Sequence, residues 1–221
     1  MTTLNLASVT ETLKRDLYTA VVSDTLDQLG YRDQVMNANI NPVTEHVVLV
    51  GRARTLLAVD YYEPLSDPYG VELKFIDTLV TGDVVVAGTN MSVRNGLWGE
   101  LLSTASKYRG ACGAIIDGYV RDVRKIRQLG FPTWATGTKP VDSAGRGLTI
   151  AYDIPVRCGD VIVKTGDIIF ADEDGIVAIP QAIFSDVIER ALEKVHAEDS
   201  SRKDLLMGTS LSEVYRQRGV L

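Results

Sequence analysis

Residues 117–122 read DGYVRD, so two carboxylates and a guanidinium fall within one short stretch. Carboxylates together with water suit a hard divalent cation such as Mg²⁺ or Mn²⁺. A cation of that kind beside an arginine stabilises an enolate, the anion left when a carbon–carbon bond next to a ketone breaks. The apolar run GAII (113–116) precedes the stretch and VRKIRQLG (123–130) follows it. Asp117 is therefore expected at the end of a strand, with Gly118 permitting a turn and Arg121 and Asp122 in the first turn of a helix. A carboxylate at Asp122 complements the positive end of a helix dipole. Arg121 has no such scaffold reason, because a cation there opposes the dipole, and an exposed ion pair with a neighbouring aspartate contributes only about 0–1 kcal/mol.

Two further features could share a site with it. In NGLWGELLS (95–103), Gly96 and Gly99 precede a helix start. Free N–H groups at such a start can receive a small carboxylate against the Gly99–Leu102 amides. Glu100 in that first turn is also accounted for by the helix dipole. The second feature lies near the C-terminus. Phe184, Val187, Ile188, Ala191 and Val195 form one helical stripe, and its continuation is Glu198 and Arg202. These two can pair with each other at i, i+4, or Glu198 can reach a site on a neighbouring subunit. A Schiff-base mechanism needs a desolvated lysine. Lys107, Lys125, Lys139, Lys164 and Lys194 all sit in polar surroundings.

The elements that must hold these residues follow from periodicity. Val9, Leu13, Leu17 and Val21 have helical spacing, and Ser23 and Asp24 are placed to cap a second short helix ending at Gly30. HVVLVGRARTLLAVDYY (46–62) reads as one or two strands broken at Gly51. Three Gly-Asp pairs, at 82–83, 159–160 and 166–167, precede apolar runs and read as turns leading into strands. DEDGIVAIP (172–180) reads as a hairpin turn and strand, since its acids lack the distal glutamate of a calcium loop. Residues 99–110 form a helix with Leu101, Leu102, Ala105 and Tyr108 as its apolar positions. Residues 110–117 form a buried strand, 119–130 a helix, 131–136 a short strand and about 181–206 a long amphipathic helix. One α/β domain with N- and C-terminal helical arms accommodates all of this.

Composition narrows the function classes. The chain has 221 residues, 45% hydrophobic and 24% charged, as in ordinary globular proteins. Its net charge of −6 and lack of a basic run argue against nucleic acid as the main partner. No apolar run approaches the roughly 18 residues of a membrane span, and no basic-then-apolar leader opens the sequence, so the expected location is the cytoplasm. Cys112 and Cys158 read as buried reduced thiols, and no Cys/His cluster has zinc spacing.

Three segments carry a resemblance: WGELLSTASKYRGACGAIIDGYVRD, GFPTWATGTKPVDSAGRG and CGDVIVKTGDIIFADEDGIVAIP. In this order they resemble the core of the family that contains the 4-hydroxy-4-methyl-2-oxoglutarate / 4-carboxy-4-hydroxy-2-oxoadipate aldolases and the regulators of ribonuclease E activity. The resemblance covers about residues 20 to 215. It implies a swivelling β/β/α domain (core about 20–180, C-terminal helical arm about 181–221), assembled as trimers or pairs of trimers with sites between subunits. It further implies a class II pyruvate aldolase that uses Mg²⁺ or Mn²⁺, acts on a 4-hydroxy-2-oxo acid and decarboxylates oxaloacetate. By motif position, Asp122 would hold the metal largely through water, and Arg121 would bind the pyruvate oxygens and stabilise the enolate. Gly99, Glu100, Leu101 and Leu102 would receive the pyruvate carboxylate. Glu100 would lie near the metal, Glu198 would be the acid donated by the neighbouring subunit, and Asp117 would orient the loop or Arg121. The family's other branch offers the alternative of a non-catalytic regulator that binds a ribonuclease or another protein. The long C-terminal helix with Glu198, and Glu100, favour the enzyme.

Overall fold

The computed structural model describes residues 6–219. In chain order its elements are α1 (Leu6–Asp16), α2 (Thr19–Gln28), β1 (Asn41–Pro42), β2 (Leu49–Asp60), α3 (Gly70–Asp77), β3 (Asp83–Trp98), α4 (Glu100–Arg109), β4 (Gly113–Val120) and α5 (Val123–Leu129). There follow β5 (Thr133–Thr138), β6 (Gly147–Tyr152), β7 (Val156–Cys158), β8 (Val161–Val163), β9 (Ile168–Ala171), β10 (Ile176–Ile179), α6 (Phe184–Leu206) and α7 (Leu211–Arg218). One sheet runs β1-β5-β4-β3-β2-β9-β10, with β6 also paired to β2, and β7 and β8 form a separate hairpin. The central strands β2, β3, β4 and β5 are parallel, joined through α3, α4 and α5, and the flanking pairs are antiparallel. This is the expected α/β domain with helical arms at both ends.

Central parallel strands are buried on both faces, and the side-chain period of two divides them between cores. Val85, Ala87, Ala114, Ile116 and Val120 join Phe75, Ile76, Trp98, Ile126 and Phe131 on the face that α3, α4 and α5 cover. Val84, Val86, Ile115 and Trp134 join Val156, Cys158, Val161 and Val163 on the other face. A third core packs α1, α2 and α6 against Val50, Phe170, Val177 and Ile179. The α6 stripe is as expected: Phe184, Val187, Ile188 and Ala191 are buried and Val195 is partly so. The three Gly-Asp turns also form, with Gly82, Gly159 and Gly166 at positive φ. Asp172 closes its turn by accepting from the Asp174 N–H, and both cysteines are free.

Several local expectations are corrected. The first helical segment breaks after Asp16, not at Ser23. The Thr19 N–H and hydroxyl are both captured by Asp172, at 2.7 and 2.6 Å, which caps α2 from 153 positions away. The strand β2 runs unbroken through Gly51, where a Cβ would lie 2.7 Å from both the Gly82 carbonyl and Val84 Cγ2. That glycine serves close strand approach, not a break. The helix expected over 119–130 is shorter, because β4 continues to Val120 and α5 starts at Val123. In α4 three of the four expected apolar positions face outward, with Leu101 77% and Tyr108 92% exposed and Ala105 exposed too, while Leu102 packs partly against the core. Ser103 and Ser106 are the buried residues. Ser103 Oγ accepts from the Trp98 indole at 2.8 Å and donates to the Gly99 carbonyl at 2.9 Å, so small hydroxyls bring α4 close to the sheet.

Candidate active site

The site forms where β3 and β4 end side by side. The Arg121 N–H donates to the Trp98 carbonyl at 2.8 Å, which locks the residue after β4 to the end of β3. Asp122 follows in the left-handed region, φ 59° and ψ 28°, a conformation that aspartate tolerates. Arg121 and Asp122 thus form the turn before α5, not its first helical turn. Gly99 and Gly96 make room for this turn. A Cβ on Gly99 would stand 2.8 Å from Asp122 Oδ2 and 3.2 Å from Arg121 Cγ. On Gly96 it would stand 2.5 Å from the Lys139 carbonyl and 3.0 Å from Arg121 Cβ. Both glycines therefore admit this turn, besides opening the α4 start.

The Glu100 N–H donates to Asp122 Oδ2 at 3.2 Å. The next two amides of α4, at Leu101 and Leu102, have no acceptor among the described residues, as first-turn N–H groups commonly do. Glu100's own carboxylate accepts from the Thr104 hydroxyl at 2.9 Å. Arg121 has carboxylates on two sides, with Nη1 3.5 Å from Asp142 Oδ1 and Nε 3.8 Å from Asp122 Oδ2. Both separations exceed the 2.7–2.9 Å of a charge-assisted hydrogen bond, so the guanidinium is held without its donors being consumed.

Arg121, Asp122, Gly99, Leu101 and Leu102 line one cavity of about 290 Å³. Four more polar residues line it that the sequence did not single out: Tyr69, Glu72, Asp142 and Ser143. The Tyr69 hydroxyl donates to Asp142 Oδ2 at 2.5 Å, and the Ser143 N–H donates to Oδ1 at 2.8 Å. Burial pushes the Asp142 carboxyl up, but Tyr69, Arg121 and the Ser143 and Ala144 amides outweigh it and hold it below the usual range. The bond to Asp142 raises the Tyr69 phenol in turn. Glu72 behaves oppositely. It is 4% exposed, its Oε1 is buried without a partner, and burial, with Asp142 adding, pushes its carboxyl up to about 7 against Arg121.

Two expected members lie elsewhere. Asp117 sits inside β4, 2% exposed, with Oδ1 unpartnered. Burial pushes it up to about 6, the Met91 and Gly159 backbone groups opposing. Its neighbours are Cys158, Arg157 and Asp160, and no bond joins it to Arg121 among the described residues. Gly118 is likewise in the strand, where a Cβ would meet Thr89 Oγ1 at 2.7 Å, so it permits close packing and not a turn. Glu198 does not pair with Arg202, which bonds Asp199. It accepts from the Tyr18 hydroxyl, and burial together with that bond pushes the phenol up to about 12. It does not line the cavity around Arg121 in its own chain.

As a cation site, the cleft offers little direct ligation. No group of three His, Cys, Asp or Glu side chains converges among the described residues. Asp122, with a half-exposed side chain, has Oδ1 free of hydrogen bonds among the described residues. One carboxylate at an open cleft, with Glu100 beside it, fits a hard cation that keeps most of its water, as Mg²⁺ does. It does not fit a closed protein cage.

Comparison with known proteins places the chain in a family. The family description RraA-like: Aldolase/RraA matches residues 19–178. A protein of Halalkalibacterium halodurans named "Putative 4-hydroxy-4-methyl-2-oxoglutarate aldolase" is 30% identical over 189 residues, covering 86% of this chain and 84% of that protein. The crystal structure of Streptomyces coelicolor RraAS2, described as an unusual member of the RNase ES inhibitor RraA protein family, superposes with a TM-score of 0.80 at 29% identity. It covers 89% of this chain and 97% of that one. An uncharacterized protein from Pseudomonas syringae pv. tomato shares the fold with a TM-score of 0.85 at 22% identity, over 98% of this chain and 96% of that one. No helix among the described residues is long and apolar enough to cross a membrane. With its fold and these matches together, the chain belongs to the RraA-like family, which spans aldolases and ribonuclease regulators.

Proposed function

We propose that the protein is a divalent-metal-dependent pyruvate aldolase that cleaves a 4-hydroxy-2-oxo acid through a pyruvate enolate and also decarboxylates oxaloacetate. One observation carries the reading. A guanidinium with uncommitted donors, free helix-start amides and an open carboxylate line the same cavity. The Leu101 and Leu102 N–H groups suit the substrate carboxylate, where the α4 dipole favours negative charge. Arg121 suits the 2-oxo oxygen, whose charge grows as the C3–C4 bond breaks, so its contribution is largest in the transition state. Asp122, with Glu100 nearby, would hold Mg²⁺ or Mn²⁺ through water, and such an ion when bound adds positive charge beside the forming enolate. Leu97, buried, and Leu102, partly buried, form the apolar inner wall and strengthen these electrostatic contacts.

Glu198 does not line its own chain's cleft, which is consistent with its completing a neighbour's. The outward apolar face of α4, with Leu101 and Tyr108 exposed, supports an assembly of copies such as a trimer or hexamer. The regulator reading rests on the likeness to RraAS2 and needs none of the cleft's chemistry. Pyruvate release from oxaloacetate and from several 4-hydroxy-2-oxo acids, with Mg²⁺ and with EDTA, separates the two. Turnover lost in EDTA and restored by Mg²⁺ or Mn²⁺ is expected. Full turnover in metal-free protein, or a borohydride-trapped lysine adduct with pyruvate, overturns the mechanism, and no turnover with any substrate returns the function to binding.

A further inference from the structure

Glu72 has no use as scaffold that its surroundings reveal. It stands in the first turn of α3, where an exposed carboxylate would complement the helix dipole. It is instead 4% exposed and forms part of the wall of the Arg121 cavity, with Oε1 unpartnered. An unpaired buried carboxyl opposes folding, and groups kept at such a disadvantage in a cleft concentrate at functional sites. The cleft's other ionisable groups have other tasks. Asp142 is bonded by Tyr69 and Ser143, the Tyr69 proton is spent on that bond, Asp122 is the carboxylate assigned to the cation, and Arg121 stays protonated. These four are the charged and titratable residues that line the cavity with Glu72.

Aldol cleavage by the proposed function needs a proton moved over a short path. The 4-hydroxyl must lose one as the C3–C4 bond breaks, and the enolate must gain one at C3 to become pyruvate. The hydroxyl oxygen and C3 are both bonded to C4, so a single carboxyl can reach both. We propose that Glu72 is the proton-carrying catalytic residue of this cleft. It takes the 4-hydroxyl proton as the C3–C4 electron pair passes to the enolate, then returns that proton to C3. Atoms and charge balance with no other reactant. With oxaloacetate the leaving CO₂ carries no proton, so the carboxyl protonates C3 and is recharged from water. Burial and Asp142 place its titration near neutral pH, where both forms are populated.

This inference rests on the aldolase reading, and the test keeps their failures apart. Exchange of the pyruvate methyl hydrogens with D₂O, followed by NMR with Mg²⁺ present, reports proton transfer at C3 without carbon–carbon cleavage. Wild-type protein is expected to exchange, with a pH-dependent limb near neutrality. Glu72→Gln is expected to lower exchange at least about 10²-fold and abolish that limb. Its oxaloacetate turnover falls by a smaller factor, since a released enolate is protonated by water. Glu72→Asp keeps the acid and restores part of the exchange with a displaced pH profile, and it decides the matter if the glutamine variant does not fold. Exchange in Glu72→Gln within a few-fold of wild type, or a Glu72→Asp profile identical to wild type, overturns the role of Glu72 alone. Wild-type protein that neither exchanges pyruvate nor decarboxylates oxaloacetate overturns the aldolase reading, and Glu72's role with it.

Discussion

Adding one methyl group at Gly99 tests whether the α4 start and the Arg121–Asp122 turn act as a single device. Gly99 has φ −143°, an extended conformation open to any residue, so Gly99→Ala introduces no backbone strain. Its cost is purely steric. The new Cβ would lie 2.8 Å from Asp122 Oδ2, 3.2 Å from Arg121 Cγ and 3.3 Å from Arg121 Nε. The nearest contact falls short of ordinary separation by roughly 0.6 Å or more. All three atoms belong to partly exposed side chains, which yield more cheaply than backbone. The stability loss is therefore expected at the low end of the roughly 1–3 kcal/mol of core overpacking, at about 1 kcal/mol. Activity fares worse, because the side chains that yield are the ones that must hold their positions. Misplacement by about 1 Å typically lowers turnover on the order of 10²-fold, and a shift of about half that predicts at least a tenfold fall. Gly96→Ala is the contrast, since its Cβ meets the Lys139 carbonyl at 2.5 Å and backbone cannot rotate away. That variant is expected to lose stability as well. Steady-state pyruvate release from oxaloacetate with Mg²⁺, alongside thermal melts, measures both. A Gly99→Ala protein with wild-type kcat and KM would refute the argument that this glycine admits a working turn.

Glu72 also sets a stability trend. Its folded carboxyl titrates near 7 against 4.5 ordinarily, so the native state binds the extra proton and stability falls as pH rises across that window. The loss is about 3 kcal/mol by linkage, and Glu72→Gln is expected to match wild type in urea unfolding near pH 4.5 and exceed it at pH 8. Parallel pH trends for the two proteins would contradict this. For assembly, mixing inactive Arg121→Ala with inactive Glu198→Ala protein is expected to restore part of the turnover in mixed oligomers, because some clefts then carry both intact residues. No recovery in oligomers verified as mixed counts against a shared site.

How far the sequence could be read depended on whether the deciding contact was local. The run GAII, the α6 stripe and the Gly-Asp turns were legible because period and turn chemistry act over a few residues. Arg121 stood out because a cation beside a helix start lacks a local reason, and Gly99 because it opens that start. Glu72 was hidden because no pattern marked a helix between residues 62 and 82, and its environment is a cavity shared with residues 97–102 and 121–143. Asp142 carried no local signal, because the bond that fixes it comes from Tyr69, 73 positions away. The face of α4 was misread because spacing ranks leucine and tyrosine as inward, whereas Ser103 is drawn in by the Trp98 indole. Asp117 was grouped with Arg121 by proximity in sequence, but its contacts are with the Met91 and Gly159 backbone and Cys158.

The central claim is that Arg121 stabilises charge that appears only as the carbon–carbon bond breaks. Arg121→Lys keeps the positive charge but not two parallel donors in one plane. Steady-state kinetics on oxaloacetate with Mg²⁺, together with a melting curve and oligomer mass, test it in one variant. The account predicts kcat lowered by about 10²-fold or more, KM raised by less, and a folded, assembled protein. Near-wild-type kcat with a small loss of stability would contradict it and leave Arg121 as an ion-pair partner of Asp142 and Asp122.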